Sequence, residues 1–102
     1  MQIFEVRISQ KALCDMDVLR EFLNGLMSED GAVRYASTMR DEIKLLSVCA
    51  ECMSRSTSTT IRQIHPKARR MVSHNHRWIY VYHIECDIVI VDRIIPAKMN
   101  KG

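Results

Sequence analysis

Apolar and polar positions change their period twice along the chain. Residues 2–8 alternate, with Ile3, Val6 and Ile8 set among Glu5 and Arg7 and with Phe4 offset, which predicts a short first strand. Ser9 follows where a helix N-cap belongs, its hydroxyl placed to accept from an orphan N–H of the first turn. From Ala12 the apolar residues take helical spacing at Met16, Leu19, Leu23, Leu26 and Met27, with Asp15, Asp17, Arg20 and Glu21 between them. Ser28-Glu29-Asp30-Gly31 interrupts the pattern and offers a second cap. Ala32, Ala36, Met39, Ile43, Leu46, Ala50 and Met53 then lie four and three residues apart in alternation. That spacing puts them on one helical stripe, with Arg34, Arg40, Asp41, Lys44 and Glu51 facing water. Two amphipathic helices joined by a short turn predict an antiparallel hairpin.

The stretch from Ser54 to Thr60 is polar and without period, and reads as a connecting loop. Beyond it the period falls to two. Ile61-Arg62-Gln63-Ile64 reads as a marginal strand ended by His65-Pro66, and Ala68 to Ser73 as a better one, with His74-Asn75-His76 as the turn. From Arg77 to Glu85 the alternation puts Trp78, Tyr80, Tyr82 and Ile84 on one face and Ile79, Val81 and His83 on the other. Glu85-Cys86-Asp87 turns into Ile88–Ile95, which is apolar on both faces for most of its length, and Pro96 ends that strand. The order is β–α–α followed by two or three antiparallel strands. The predicted class is therefore α+β, with the helical hairpin burying its stripe on one face of the sheet.

At 102 residues the chain suits a single domain over residues 1–102. Apolar residues at 47% and charged residues at 26% exclude a disordered chain. No apolar run approaches the roughly 18 residues of a membrane span, and the alternation within Met1–Arg7 leaves no room for a signal-peptide core. The expected compartment is the cytosol, with no membrane contact and the four cysteines reduced. The net charge of +3 conceals an asymmetry: residues 1–53 carry 6 basic and 9 acidic side chains, residues 54–102 carry 9 basic and 3 acidic. No Asp or Glu stands between Glu51 and Glu85, while Arg55, Arg62, Lys67, Arg69, Arg70 and Arg77 and all four histidines do. Such a field either is a solvated face or favours an acidic or polyanionic partner.

Few motifs carry chemistry. Cys49-Ala50-Glu51-Cys52 has C-x-x-C spacing, and His74 and His76 would complete a Cys2His2 set. The pair sits, however, at the C-terminal end of a strongly periodic helix, where the dipole disfavours thiolate. It reads as two helix-face cysteines, and no metal or cofactor is expected. His83 alternates with Tyr80 and Tyr82, so acid–base work is conceivable there. No phosphate-binding glycine loop, nucleophile elbow or paired-carboxylate motif occurs. In Lys67-Ala68-Arg69-Arg70 the two arginines point to opposite faces of a strand, and guanidinium suits phosphates. Trp78 or Tyr80 could stack bases beside them, or the aromatic stripe is simply the core face.

Taken in order, these segments resemble a known family. Val6-Arg7-Ile8-Ser9-Gln10-Lys11-Ala12-Leu13-Cys14-Asp15-Met16 is similar to the opening of RelE/ParE toxins, a strand running into S-x-x-A-x-x-D followed by an apolar residue. Arg69-Arg70-Met71-Val72, Trp78-Ile79-Tyr80-Val81-Tyr82 and Ile88-Val89-Ile90-Val91-Asp92-Arg93-Ile94-Ile95 are similar to that family's closing strands. The resemblance implies a RelE-like fold: an N-terminal strand and a helical hairpin packed on a mostly antiparallel sheet of about four strands. It implies the toxin of a bacterial type II toxin–antitoxin pair, held by a cognate antitoxin in a heterocomplex or present as a homodimer. RelE-type members cut mRNA on the ribosome with basic residues and commonly a Tyr or His near the C-terminus; ParE-type members inhibit DNA gyrase.

This chain departs from the nuclease pattern, because Ile94–Gly102 holds no Tyr or His. A ParE-like inhibitor of gyrase is therefore the favoured expectation, with Lys67, Arg69, Arg70, Arg77, Arg93 and Lys98 as target or nucleic-acid contacts. An mRNA endonuclease is the alternative, with Arg69, Arg70 and Arg93 on phosphate charge and His83, Tyr80 or Tyr82 as the activating group. A family member that binds antitoxin without being toxic is the third.

Overall fold

The computed structural model describes residues 3–53 and 59–97. Strand β1 (Glu5–Ile8) leads into helix α1 (Gln10–Asn24), then α2 (Glu29–Lys44), the short α3 (Leu46–Cys49) and a 3-10 turn at Ala50–Cys52. Helix α4 (Thr59–Ile64), β2 (Arg69–Val72), β3 (Trp78–Glu85) and β4 (Ile88–Pro96) complete the order. The four strands form one sheet in the order β1-β4-β3-β2, with β1 parallel to β4 and the other pairs antiparallel. This is the α+β arrangement that the sequence predicts.

The caps fall where they are expected. The Ser9 hydroxyl accepts from the Ala12 N–H at 3.1 Å and donates to the Asp92 carbonyl at 2.9 Å, so one side chain starts α1 and ties it to β4. Ser28 accepts from the Gly31 N–H at 3.1 Å, and Glu29 and Asp30 in the first turn of α2 complement the helix dipole. Every member of the stripe Ala32, Ala36, Met39, Ile43, Leu46, Ala50, Met53 is buried or half-buried. The helix that carries the stripe is nonetheless broken at Leu45, beyond which the Ser47 carbonyl accepts from the Phe4 N–H at 2.8 Å. Apolar period survives a local change of helix type, so the break leaves no mark on it.

The helical hairpin covers one face of the sheet. Ala12, Met16, Leu19 and Leu23 of α1 and Met39, Ile43 and Leu46 of α2 and α3 share a core with Tyr80, Tyr82, Val89, Val91 and Ile94. A smaller cluster lies on the other face: Ile61 of α4, packed with Ala68, Ile79 and Val81, and with Ile64 and Ile95 at its edge. Here the reading of Ile61–Ile64 as a strand is corrected. Two isoleucines three apart share a face only in a helix, though a run of four residues is too short for its spacing to set the period, and the structure places both on one face of α4. Of the predicted loop, residues 54–58 lie outside the described ones, and Thr59 and Thr60 belong to α4.

Candidate functional site

Strand alternation sorts the candidate residues between the two faces, because directly paired residues share a face. Arg69 pairs with Tyr82 and lies on the helix-covered face; Arg70 pairs with Val81 and lies on the other. The Arg69 guanidinium donates to the Met53 carbonyl at 2.8 Å and the Glu51 carbonyl at 3.4 Å, which caps the last helical turns. Tyr82 is wholly buried and its hydroxyl donates to the Ala50 carbonyl at 2.6 Å. Tyr80 is equally buried and donates to Glu42 Oε1 at 3.2 Å. Burial pushes both phenols well above their ordinary range, with Glu42 adding to the shift of Tyr80, and outweighs the opposing pull of Arg69 on Tyr82. Trp78, half-buried, donates through its indole N–H to the Tyr35 hydroxyl at 2.7 Å. The aromatic stripe is thus core, and Tyr80 and Tyr82 offer no face to a base.

Arg93 is also committed. Its Nε and Nη2 donate to the two oxygens of Asp15 at 2.7 and 3.0 Å, a bidentate fork, and the Ile94 N–H donates to the same carboxylate at 3.0 Å. These bonds to Asp15 raise the guanidinium pKa further. Asp15 therefore closes the stretch of β4 that lies past the end of β1, which pairs only as far as Val91. Arg77 and Lys67 are exposed and Arg70 is half-buried, and no hydrogen bond or ion pair holds their side chains among the described residues. Lys98 lies outside the described residues. The structure does not gather the five described cations into one patch. It divides them into two that brace the scaffold and three that are open.

The second face holds an arrangement that sequence spacing only half discloses. The register of β3 on β4 slips between Val81, which pairs with Arg93, and Tyr82, which pairs with Val91, leaving Asp92 as the extra residue of a bulge. The Asp92 carboxylate meets His83 Nδ1 at 2.6 Å, and Glu85 Oε1 lies 3.3 Å from His83 Nε2. His83 is 5% exposed. The ring of His65, just beyond α4, stacks on it with centroids 3.7 Å apart and planes 3° from parallel. The His65 Nδ1 accepts from the Lys67 N–H at 3.0 Å. His83 was a sequence candidate; His65, Glu85 and Asp92 were not. A partial signal for Asp92 lies in the sequence: two consecutive polar residues, Asp92 and Arg93, interrupt the apolar run of that strand, and the tight turn at Cys86-Asp87 brings the strand back antiparallel to the one that carries His83.

The cysteine pair takes no part. Cys49 is half-buried and Cys52 exposed, and burial followed by the neighbouring Cys52 raises the Cys49 thiol, the opposite of a reactive thiolate. His74 and His76 are exposed in the β2–β3 turn, where the His74 N–H donates to Glu42 Oε2 at 2.7 Å.

A β–α–α hairpin followed by a three-stranded antiparallel meander, with the first strand inserted parallel beside the last, defines a RelE/ParE-like fold. The chain is similar in structure to a chain of the chromosomal ParDE TA system from P. aeruginosa: TM-score 0.78 at 15% sequence identity, over 92% of this chain and 96% of that one. No protein-family model matches the sequence, and no curated protein matches it.

Proposed function

We propose that the chain is the toxin of a type II toxin–antitoxin pair, a single cytoplasmic domain over residues 1–102 that acts in the ParE manner on DNA gyrase and is silenced by its antitoxin. The observation that carries this reading is the fold shared over nearly the full length of both chains with a member of a ParDE TA system. A non-nucleolytic action is supported by the state of the candidate bases. The hydroxyls of Tyr80 and Tyr82 are committed inside the core, and His83 is buried between two carboxylates. A ribose hydroxyl needs a base within direct reach, roughly 3 Å or one water away. The open cations Lys67, Arg70 and Arg77 are the contacts proposed for the target.

An antitoxin partner is supported by the outer surface of α1 and the turn that follows it. Val18, Phe22 and Leu26 stand at four-residue intervals with 66%, 59% and 67% exposure, an apolar line of the kind that marks a protein contact. The test is induced expression with and without the neighbouring reading frame, together with mapping of mRNA 5′ ends. Growth arrest relieved by the neighbour, with transcripts intact, is expected. Cleavage at codon boundaries would replace the proposal with the endonuclease reading; normal growth would replace it with a non-toxic antitoxin binder.

A further inference from the structure

We propose that His83, His65 and Glu85 form a binding site for a divalent transition metal of zinc's type, on the sheet face opposite the helical hairpin. Each of the three offers one ligand atom, and these atoms lie within 4.8 Å of one another. Two imidazoles and a carboxylate are the mixed N/O donor set that zinc accepts, and three protein ligands leave a fourth position for water. Two features make this more than proximity. The 3.3 Å between His83 Nε2 and Glu85 Oε1 matches the edge of a tetrahedron whose metal–ligand bonds are about 2.0–2.1 Å. Asp92, bonded to His83 Nδ1 at 2.6 Å, supplies the carboxylate–imidazole pairing that fixes a metal-ligating histidine with its other nitrogen outward. The bulge at Asp92 is what brings that carboxylate opposite the ring.

Loading changes the histidine pair in a defined way. An imidazole lone pair lies in the ring plane, so one ion cannot lie in the planes of two parallel rings 3.7 Å apart. One ring must turn. His83 is buried and held by Asp92, whereas His65 is half-buried in a connection between α4 and β2, so His65 is the one that moves. Ligation through its Nδ1 releases the bond that this nitrogen accepts from the Lys67 N–H, to water at an exposed residue. Metal ligation needs the neutral ring, so any proton on a ligating nitrogen leaves to solvent. Asp92 acts as a positioning residue.

The test uses the full-length chain, stripped by chelation under reducing conditions and titrated with zinc against a chromogenic indicator, with cobalt as a spectroscopic substitute. One equivalent is expected, with a cobalt spectrum free of thiolate charge transfer. His65→Ala and Glu85→Gln, both at accessible positions, are each expected to weaken binding at least about tenfold while circular dichroism stays unchanged, and Asp92→Asn to weaken it about ten- to hundredfold. Cys49→Ser/Cys52→Ser is expected to bind as the parent does. Zinc is also expected to remove the mutual ring-current shift of the two imidazoles in proton NMR. The proposal is overturned if the parent takes up no zinc, if His65→Ala and Glu85→Gln bind as tightly as the parent, or if binding disappears with the two cysteines.

Discussion

The two faces of the sheet use similar residue types for opposite ends. On the helix-covered face the polar atoms are anchors: the Tyr80 and Tyr82 hydroxyls and the Arg69 guanidinium each terminate on a helix carboxylate or carbonyl. On the other face, among the described residues, the closed apolar cluster is a small one around Ile61, Ile79 and Val81. Beside it lie a stacked histidine pair between carboxylates and a half-buried Arg70 that nothing holds among the described residues. The difference teaches that an arginine or tyrosine in this chain is functional or structural according to what covers its face, and that polarity alone does not decide.

Emptying the covered face should have the largest effect. Ile43, 2% exposed, packs between α2 and the sheet, and Ile43→Ala is expected to cost about 2–5 kcal/mol in denaturant unfolding. A loss below about 1 kcal/mol would mean that the hairpin does not close this core. Next in size is the contrast between open and committed cations. Lys67→Ala/Arg70→Ala/Arg77→Ala should lower toxicity at least about hundredfold at an unchanged unfolding midpoint, the loss of one or two strong interface contacts. Asp15→Ala should instead cost stability, about 1–3 kcal/mol, because it removes the acceptor from the Ile94 N–H and unpairs Arg93. The division fails if these two variants exchange phenotypes.

Alkaline pH sharpens the same comparison. Tyr80 and Tyr82 stay protonated in the folded chain because burial raises their pKa, while in the unfolded chain a phenol ionises near pH ~10. Above that pH the unfolded state binds fewer protons, so stability is complete below it and falls as pH rises, by up to about 1.4 kcal/mol per unit for each tyrosine. Tyr82→Phe should make the decline shallower in denaturant titrations from pH ~9 to ~11, and an unchanged slope would contradict the assignment. The smallest effect is expected at Cys86, which turns β3 into β4 with φ of 55°. Cys86→Gly relieves the left-handed strain but gains unfolded-chain entropy, for a net stabilisation under about 1 kcal/mol in thermal melts.

Much of this fold is legible in the sequence because period and caps are local: Ser9, Ser28, the stripe from Ala32 to Met53 and the two faces of β3 all lie where spacing puts them. The break at Leu45 and the helical state of Ile61–Ile64 were not legible, since one is decided by the distant Phe4 N–H and the other by which face of the sheet needs cover. The site is less legible than the fold. His83 stands out by type, yet beside Glu85 on its own strand its partners come from 9 residues on in β4 and from the connection before β2, and Arg93 is held by Asp15, 78 residues away, which no local spacing marks.

The toxin we propose acts on DNA gyrase and leaves RNA uncut. A supercoiling assay with purified gyrase and purified chain, with and without the product of the neighbouring reading frame, addresses this most directly. The account predicts loss of supercoiling that the neighbour restores. Full supercoiling at every concentration of the chain, alongside cleavage of ribosome-bound message by the same preparation, would contradict it.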